Sequence, residues 1–180
     1  MSSHKINILG ISGSLRAGSS ASAVLKVVAK LFPENVGFTI YEELATIPPF
    51  NDSNEVPPPV TQFIQLITES DAVFFCTPEY AFGVSGVLKN ALDWTVSSIA
   101  FYDKPVALIT AASSGDKAHA ALTLTLTALS TKISEETSLL ISFVRNKLNE
   151  ANEVKDIDTL NAIKRVIGSL LQTIRSNQPW

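Results

Sequence analysis

Ile6-Asn7-Ile8-Leu9-Gly10-Ile11-Ser12-Gly13-Ser14-Leu15-Arg16-Ala17-Gly18-Ser19-Ser20 passes from a β-branched apolar run, through a loop of serines and glycines, into a segment of helical period. The run is apolar on both faces, which suits a strand buried in a parallel sheet. Residues 36–41, 72–76, 106–110 and 139–143 share its character. Between these runs Ala21, Val24, Leu25, Val28 and Phe32 recur at helical spacing. So do Val84, Val87, Leu88, Ala91 and Thr95, and later Ile157, Leu160, Ile163, Ile167, Leu170 and Ile174. The alternation predicts an α/β fold: a five-stranded parallel sheet covered by helices on both faces, with residues 1–180 as one domain. Leu122-Thr123-Leu124-Thr125-Leu126-Thr127 alternates like a strand. Yet Ala118, Ala121, Leu122, Thr125, Leu126 and Leu129 also share a helical face, and helix preserves the alternation. Residues 42–59 read as loop, with Pro57-Pro58-Pro59 a stiff lead into the next helix.

Composition narrows the chemistry. The 180 residues carry a net charge of −3, and only 17% are charged. A pI near 5.4 argues against a binder of nucleic-acid backbone, which needs clustered Lys and Arg. One cysteine excludes an intramolecular disulfide, and two histidines beside it do not make a usual four-ligand zinc site. No apolar run reaches the roughly 18–20 residues of a membrane span. Residues 1–5 lead straight into the first strand without a signal-type apolar region, so the expectation is a cytoplasmic protein. In that setting the glycosylation pattern Asn51-Asp52-Ser53 is idle. An enzyme this poor in reactive side chains takes its chemistry from a cofactor, with no metal and no catalytic side chain.

The loop after the first strand is the most informative stretch. Open α/β sheets bind ligands beyond the carboxyl ends of their strands, where the strand order reverses. A loop there that feeds a helix presents free N–H groups and the positive end of the helix dipole. Ser12, Ser14, Ser19 and Ser20 add hydroxyls and Arg16 a guanidinium, a donor set suited to a phosphate monoester. The plainer alternative is a Ser/Gly turn with Ser19 or Ser20 as N-cap. Other nucleotide loops fit worse. G-x-x-x-x-G-K-[ST] is absent, and Gly10, Gly13 and Gly18 do not spell G-x-G-x-x-G. A nucleophile elbow also fails, because neither Gly10-Ile11-Ser12-Gly13-Ser14 nor Gly83-Val84-Ser85-Gly86-Val87 ends on glycine.

After the third strand comes Thr77-Pro78-Glu79-Tyr80-Ala81-Phe82-Gly83-Val84-Ser85-Gly86-Val87-Leu88-Lys89-Asn90-Ala91-Leu92-Asp93-Trp94. In a sheet of order 2-1-3-4-5 this loop and the first face one crevice. The segment resembles the P-E-Y-N-x-S-x-P-G-x-L-K-N-A-L-D-W signature of the NADPH-dependent FMN reductases, which include quinone and azo-dye reductases. The first loop is similar to the family's G-S-L-R-x-x-S-x-N phosphate motif, and together the likeness covers roughly residues 5–130. It implies a flavodoxin-like three-layer sandwich that holds FMN. Ser12, Ser14, Arg16 and Ser19 would bind the phosphate, with Leu15, Ser20 and Ala21 in the same cofactor-binding set. Pro78, Glu79 and Tyr80 would line the isoalloxazine beside Ala81 and Phe82, and Ser113-Ser114-Gly115 match a further family turn. Lys89, Asn90, Asp93 and Trp94 read as structural.

The departures lie at the cofactor. Ala81 replaces the family's Asn after Tyr, Gly83 and Ser85 its Ser and Pro, and Ala21 the Asn that closes the phosphate motif. Ala118 and His119 stand where a glycine pair is expected. Each lost amide removes about 0.5–1.5 kcal/mol of net hydrogen bonding, which implies weakly held FMN. Phe82 admits two roles, stacking on flavin or packing into a neighbouring chain. Cys76, ending a buried strand, reads as a small core hydrophobe, and His119 as a histidine of a solvated helix face rather than a donor at the flavin edge. Trp180 reads as a terminal residue that is mobile or docks on a partner subunit.

The leading expectation is an NAD(P)H-dependent FMN oxidoreductase that reduces flavin, quinone or azo-type acceptors by ping-pong hydride transfer, as a homodimer or homotetramer. The competing reading, drawn from Ala21, Ala81 and Ala118, is a binding or regulatory module with weakened catalysis. An electron-carrier flavodoxin fits less well, lacking a T-G-N-T phosphate loop and strong acidity.

Overall fold

The computed structural model describes residues 5–53 and 55–177. Trp180 lies outside them. Five strands, β1 (Ile6–Ser12), β2 (Val36–Tyr41), β3 (Ala72–Thr77), β4 (Val106–Ala111) and β5 (Ser138–Ile141), form one sheet of order β2-β1-β3-β4-β5. Every pairing is parallel, with Ile8 opposite Phe38, Gly10 opposite Phe74, Phe75 opposite Leu108 and Ile109 opposite Leu139. Among the described residues the α-helices are α1 (Ser20–Leu31), α2 (Pro58–Glu69), α3 (Gly86–Asp93), α4 (Asp116–Ala128), α5 (Val144–Lys147) and α6 (Ile157–Asn177). The expected 2-1-3-4-5 sheet with helices on both faces is observed.

Alternation along the strands divides the core in two. Phe74 and Cys76 of β3 join Val24, Leu25, Val28, Ile163, Ile167 and Leu170 beneath α1 and α6. Val73 and Phe75 join Phe63, Ile67, Leu88, Leu92, Leu122 and Leu126 beneath α2, α3 and α4. All of β3 and β4 is buried, as their unbroken apolar runs require.

The ambiguous threonine-rich stretch is helical. Leu122 and Leu126 are fully buried while Leu124 between them is 72% exposed, a pattern no strand would give. The hydroxyls of Thr123, Thr125 and Thr127 donate to carbonyls four residues back, so the helix satisfies its own polar groups. Three expectations need correction. The last strand ends at Ile141 rather than residue 143, because Phe143 turns into the left-handed region at φ 51°. Ile157 opens α6 at the surface instead of joining the core. The 42–59 loop carries a 3-10 turn, Leu44–Thr46, and its last two prolines are already the first turn of α2.

Candidate active site

The loops leaving β1, β3 and β4 meet at the carboxyl edge of the sheet. Beyond β1, the N–H of Gly13 donates to the Cys76 carbonyl at 2.8 Å and carries the β1–β3 pairing one step further. A Cβ on Gly13 would lie 2.3 Å from Thr77 Oγ1 and 2.9 Å from Thr77 Cβ. Thr77 is fully buried and has nowhere to go, so only glycine lets the loop start this close to β3. The Ser85 hydroxyl donates to the Gly13 carbonyl and ties the loop to the start of α3.

The first loop then folds around serine hydroxyls. Ser19 is the N-cap of α1: its Oγ accepts from the Ser22 N–H at 3.0 Å and donates to Ser22 Oγ at 2.8 Å. Ser22 Oγ also lies 2.8 Å from Ser12 Oγ. Ser22 is thus the hub of the loop, although sequence reasoning passed over it; its signal was the three-residue spacing from the cap. The N–H groups of Ser20 and Ala21, in the first turn of α1, have no acceptor among the described residues.

The third loop is a hairpin. Tyr80 N–H donates to the Gly83 carbonyl at 3.1 Å, and Gly83 N–H returns to the Tyr80 carbonyl at 3.0 Å. Ala81 and Phe82 between them take φ 49° and 59°, as a two-residue turn matched to strand twist requires. Phe82 is thereby thrust out, 78% exposed, while the Tyr80 hydroxyl reaches back to within 3.0 Å of Ser14 Oγ.

Glu79 crosses to the fourth loop. The N-cap of α4 is Gly115, which has no side chain to cap with. Glu79 supplies the missing acceptor: its Oε2 accepts from Ala118 N–H at 2.9 Å and its Oε1 from Gly115 N–H at 3.2 Å. A carboxylate here also meets the positive end of the helix. The turn after β5 is laced to the same loop. Val144 N–H donates to the Ala112 carbonyl at 3.1 Å, Phe143 N–H to Ser113 at 3.0 Å, and Ser142 Oγ to Ser114 at 2.8 Å.

Together these segments enclose a cavity of about 330 Å³. Of the residues expected from sequence, Arg16, Ser19, Ser20, Ala21, Pro78, Glu79, Tyr80, Phe82, Ser113 and Ser114 line it, joined by Val144 and Arg145. Ser12, Ser14 and Leu15 instead face a hollow on the other side of the first loop, with Tyr41 and Glu42. Ala81, at the hairpin tip, and Gly115, buried at the N-cap of α4, line neither.

The residues read as structural have that role. Asn90 Oδ1 accepts from Phe50 N–H at 2.8 Å and its Nδ2 donates to the Pro48 carbonyl at 3.0 Å. Trp94 Nε1 donates to the same carbonyl at 2.8 Å, and Lys89 pairs with Asp93 at 2.6 Å. His119 is half-buried, not solvated: Nδ1 lies 2.9 Å from Thr110 Oγ1 and Nε2 3.1 Å from Ser138 Oγ, and desolvation lowers its pKa. It clips α4 to β4 and β5 and does not line the cavity. Burial pushes the Cys76 thiol far up, which keeps it an inert core group.

The sequence profile of the NADPH-dependent FMN reductases matches residues 6–145. The chain belongs to that family. An NAD(P)H-dependent FMN reductase of Pseudomonas aeruginosa is 32% identical over 96% of this chain and 97% of its own. A quinone reductase of Escherichia coli K12 is 26% identical over 96% of this chain and 99% of its own. Among solved structures, a flavoenzyme NAD(P)H:acceptor oxidoreductase from Paracoccus denitrificans superposes with a TM-score of 0.84 at 24% identity, covering 95% of this chain and 98% of that one. That likeness carries the fold. Family membership bears out the oxidoreductase class expected from the two loop motifs, with FMN and a nicotinamide donor as its chemistry. Among the described residues, no helix is long and apolar enough to cross a membrane.

Proposed function

We propose that this FMN reductase-family protein is an NAD(P)H-dependent FMN oxidoreductase whose flavin occupies the 330 Å³ cavity. One observation carries the reading. A single cavity joins an end built to hold a phosphate, with Arg16 and the partnerless amides of Ser20 and Ala21, to an end walled by Pro78, Tyr80 and Ala112 that suits a flat ring. The donor chemistry at one end and the apolar and aromatic lining at the other support FMN.

Arg16, Ser19, Ser20 and the first turn of α1 would hold the phosphate. The hairpin at residues 80–83 and the loop at residues 112–114 would flank the ring, and their hydrogen bonds to Ser14 and to the turn after β5 keep the two walls in place. FMN, when bound, supplies the hydride chemistry. The protein positions and desolvates, and no side-chain acid or base is required. Tyr80 and Phe82 are 47% and 78% exposed, which supports donor and acceptor using one open face in turn, in ping-pong order. Quinones, azo compounds and free flavin are the acceptor classes. We assign the activity to the cytoplasm, where the nicotinamide donor is held. Exposed Val96, Ile99 and Tyr102 support a homodimer or homotetramer.

The test is FMN titration followed by flavin fluorescence, with NADPH oxidation measured against a quinone series. Binding at micromolar levels and parallel double-reciprocal plots are expected. Absence of both binding and oxidation would overturn the reading.

The position of Glu79 favours a second reading. Its carboxylate already takes the Gly115 and Ala118 amides at the start of α4, which leaves fewer backbone donors for a ligand. On this view the chain binds flavin or another phosphate-bearing ligand without turnover. Steady quinone reduction above the free-flavin background excludes it.

A further inference from the structure

We propose that Arg145 is a second guanidinium for the flavin phosphate, so that the dianion lies between Arg16 and Arg145. This rests on the flavin reading above.

Arg145 comes from α5, an element outside both loop motifs, yet it lines the same cavity as Arg16. The two arginines also line a polar cavity of about 360 Å³, and Ser20 lines both cavities with them. Two arginines from different elements, the first loop and α5, therefore line the same two cavities beside the first turn of α1.

The placement of Arg145 is built into the backbone. Val144, the residue before it, is 3% exposed and wedged beneath the fourth loop. Its N–H and that of Phe143 are bonded to the Ala112 and Ser113 carbonyls, with Ser142 Oγ on Ser114. Phe143 takes a left-handed conformation that costs a non-glycine residue energy, and this turn sends Val144 inward and Arg145 toward the cavity. Strain held by three hydrogen bonds fixes where the guanidinium can reach.

The charge is also unclaimed. Among the described residues neither Arg16 nor Arg145 forms an ion pair. Glu79, the carboxylate that lines the cavity, is engaged by the α4 amides. A phosphate monoester carries close to two negative charges near neutral pH, and paired guanidiniums match it in charge and in hydrogen-bond geometry.

The experiment compares FMN with riboflavin, which has the ring but no phosphate, by fluorescence titration of wild type, Arg145→Gln, Arg145→Ala and Arg145→Lys. Arg145 is exposed, so the variants should fold, and circular dichroism of each checks this. The expected result is about tenfold or greater loss of FMN affinity in the Gln and Ala variants, from one charge-assisted contact. Partial recovery is expected with Lys, and riboflavin affinity should stay within about twofold throughout. Salt should weaken FMN binding more steeply in wild type than in Arg145→Ala. Wild-type FMN affinity in Arg145→Ala, or equal losses for both flavins, overturns the assignment alone. A wild type that binds neither flavin overturns the flavin reading and this one with it.

Discussion

The hydroxyl of Ser14 lies 3.0 Å from the phenol oxygen of Tyr80, joining two loops 66 residues apart across the β1–β3 boundary. Ser14 Oγ also accepts from the N–H of Arg16 at 3.3 Å, so the bond bears on the conformation of the first loop. Tyr80→Phe should lower unfolding stability by about 0.5–1 kcal/mol, the net worth of one neutral hydrogen bond partly open to water. Flavin affinity should fall a few-fold as the hairpin loosens. Urea denaturation and FMN titration on the same preparation read both; unchanged affinity would show that the bond does not position the hairpin.

Gly13 is the tightest point of the crevice. In Gly13→Ala the new methyl meets Thr77 at 2.3 Å, inside a wall of buried atoms. About 1–3 kcal/mol of destabilisation is expected, typical of overpacking. The double variant Gly13→Ala/Thr77→Ser should recover part of it, because loss of the Thr77 Cγ2 methyl lets the hydroxyl rotate away from the new methyl. Thermal melts of the single and double variants decide the matter.

Ala81 and Phe82 hold positive φ without the residues that favour it. Ala81→Asn should raise stability by about 0.5–1 kcal/mol, because Asn accepts the left-handed region more readily than Ala. A fall in melting temperature would mean that the Ala81 side chain contributes something the turn geometry does not show.

His119 gives the fold a pH dependence. Desolvation holds its folded pKa below the ordinary 6.5, so the unfolded chain takes up a proton first as pH falls. The stability it contributes is complete above about pH 6.5 and is lost as pH drops from there through the folded value. His119→Gln keeps hydrogen-bonding capacity toward Thr110 and Ser138 and should flatten that part of the curve. Denaturation midpoints at a series of pH values between about 7 and 5 check it.

Much of this was legible in the sequence, and the failures are physical. Residues 72–76 and 106–110 could be read because strands buried on both faces need apolar residues at every position. The end of the last strand could not, since Phe143 is set by hydrogen bonds to Ser113 that no local pattern encodes. Ser19 was recognisable as a cap, and its spacing pointed to Ser22, but the contact of Ser22 with Ser12 was not legible, because Ser12 lies across a loop. Glu79 was placed at the ring by motif, yet its reach to Ala118 exists only once β3 and β4 are neighbours. Arg145 left no local mark at all, because a lone arginine after an apolar run looks like any solvated surface residue.

The grip of Glu79 on α4 also sets the electrical polarity of the cavity. Negative charge stands at the end near Pro78 and the fourth loop, while Arg16 and the open amides of α1 make the opposite end positive. A field of fixed sign therefore runs along the slot before any ligand arrives. An elongated molecule with its anion at one terminus is turned by that field as it approaches. One way round is therefore favoured, with the anion toward α1, before the ring meets the walls formed by Pro78, Tyr80 and Ala112.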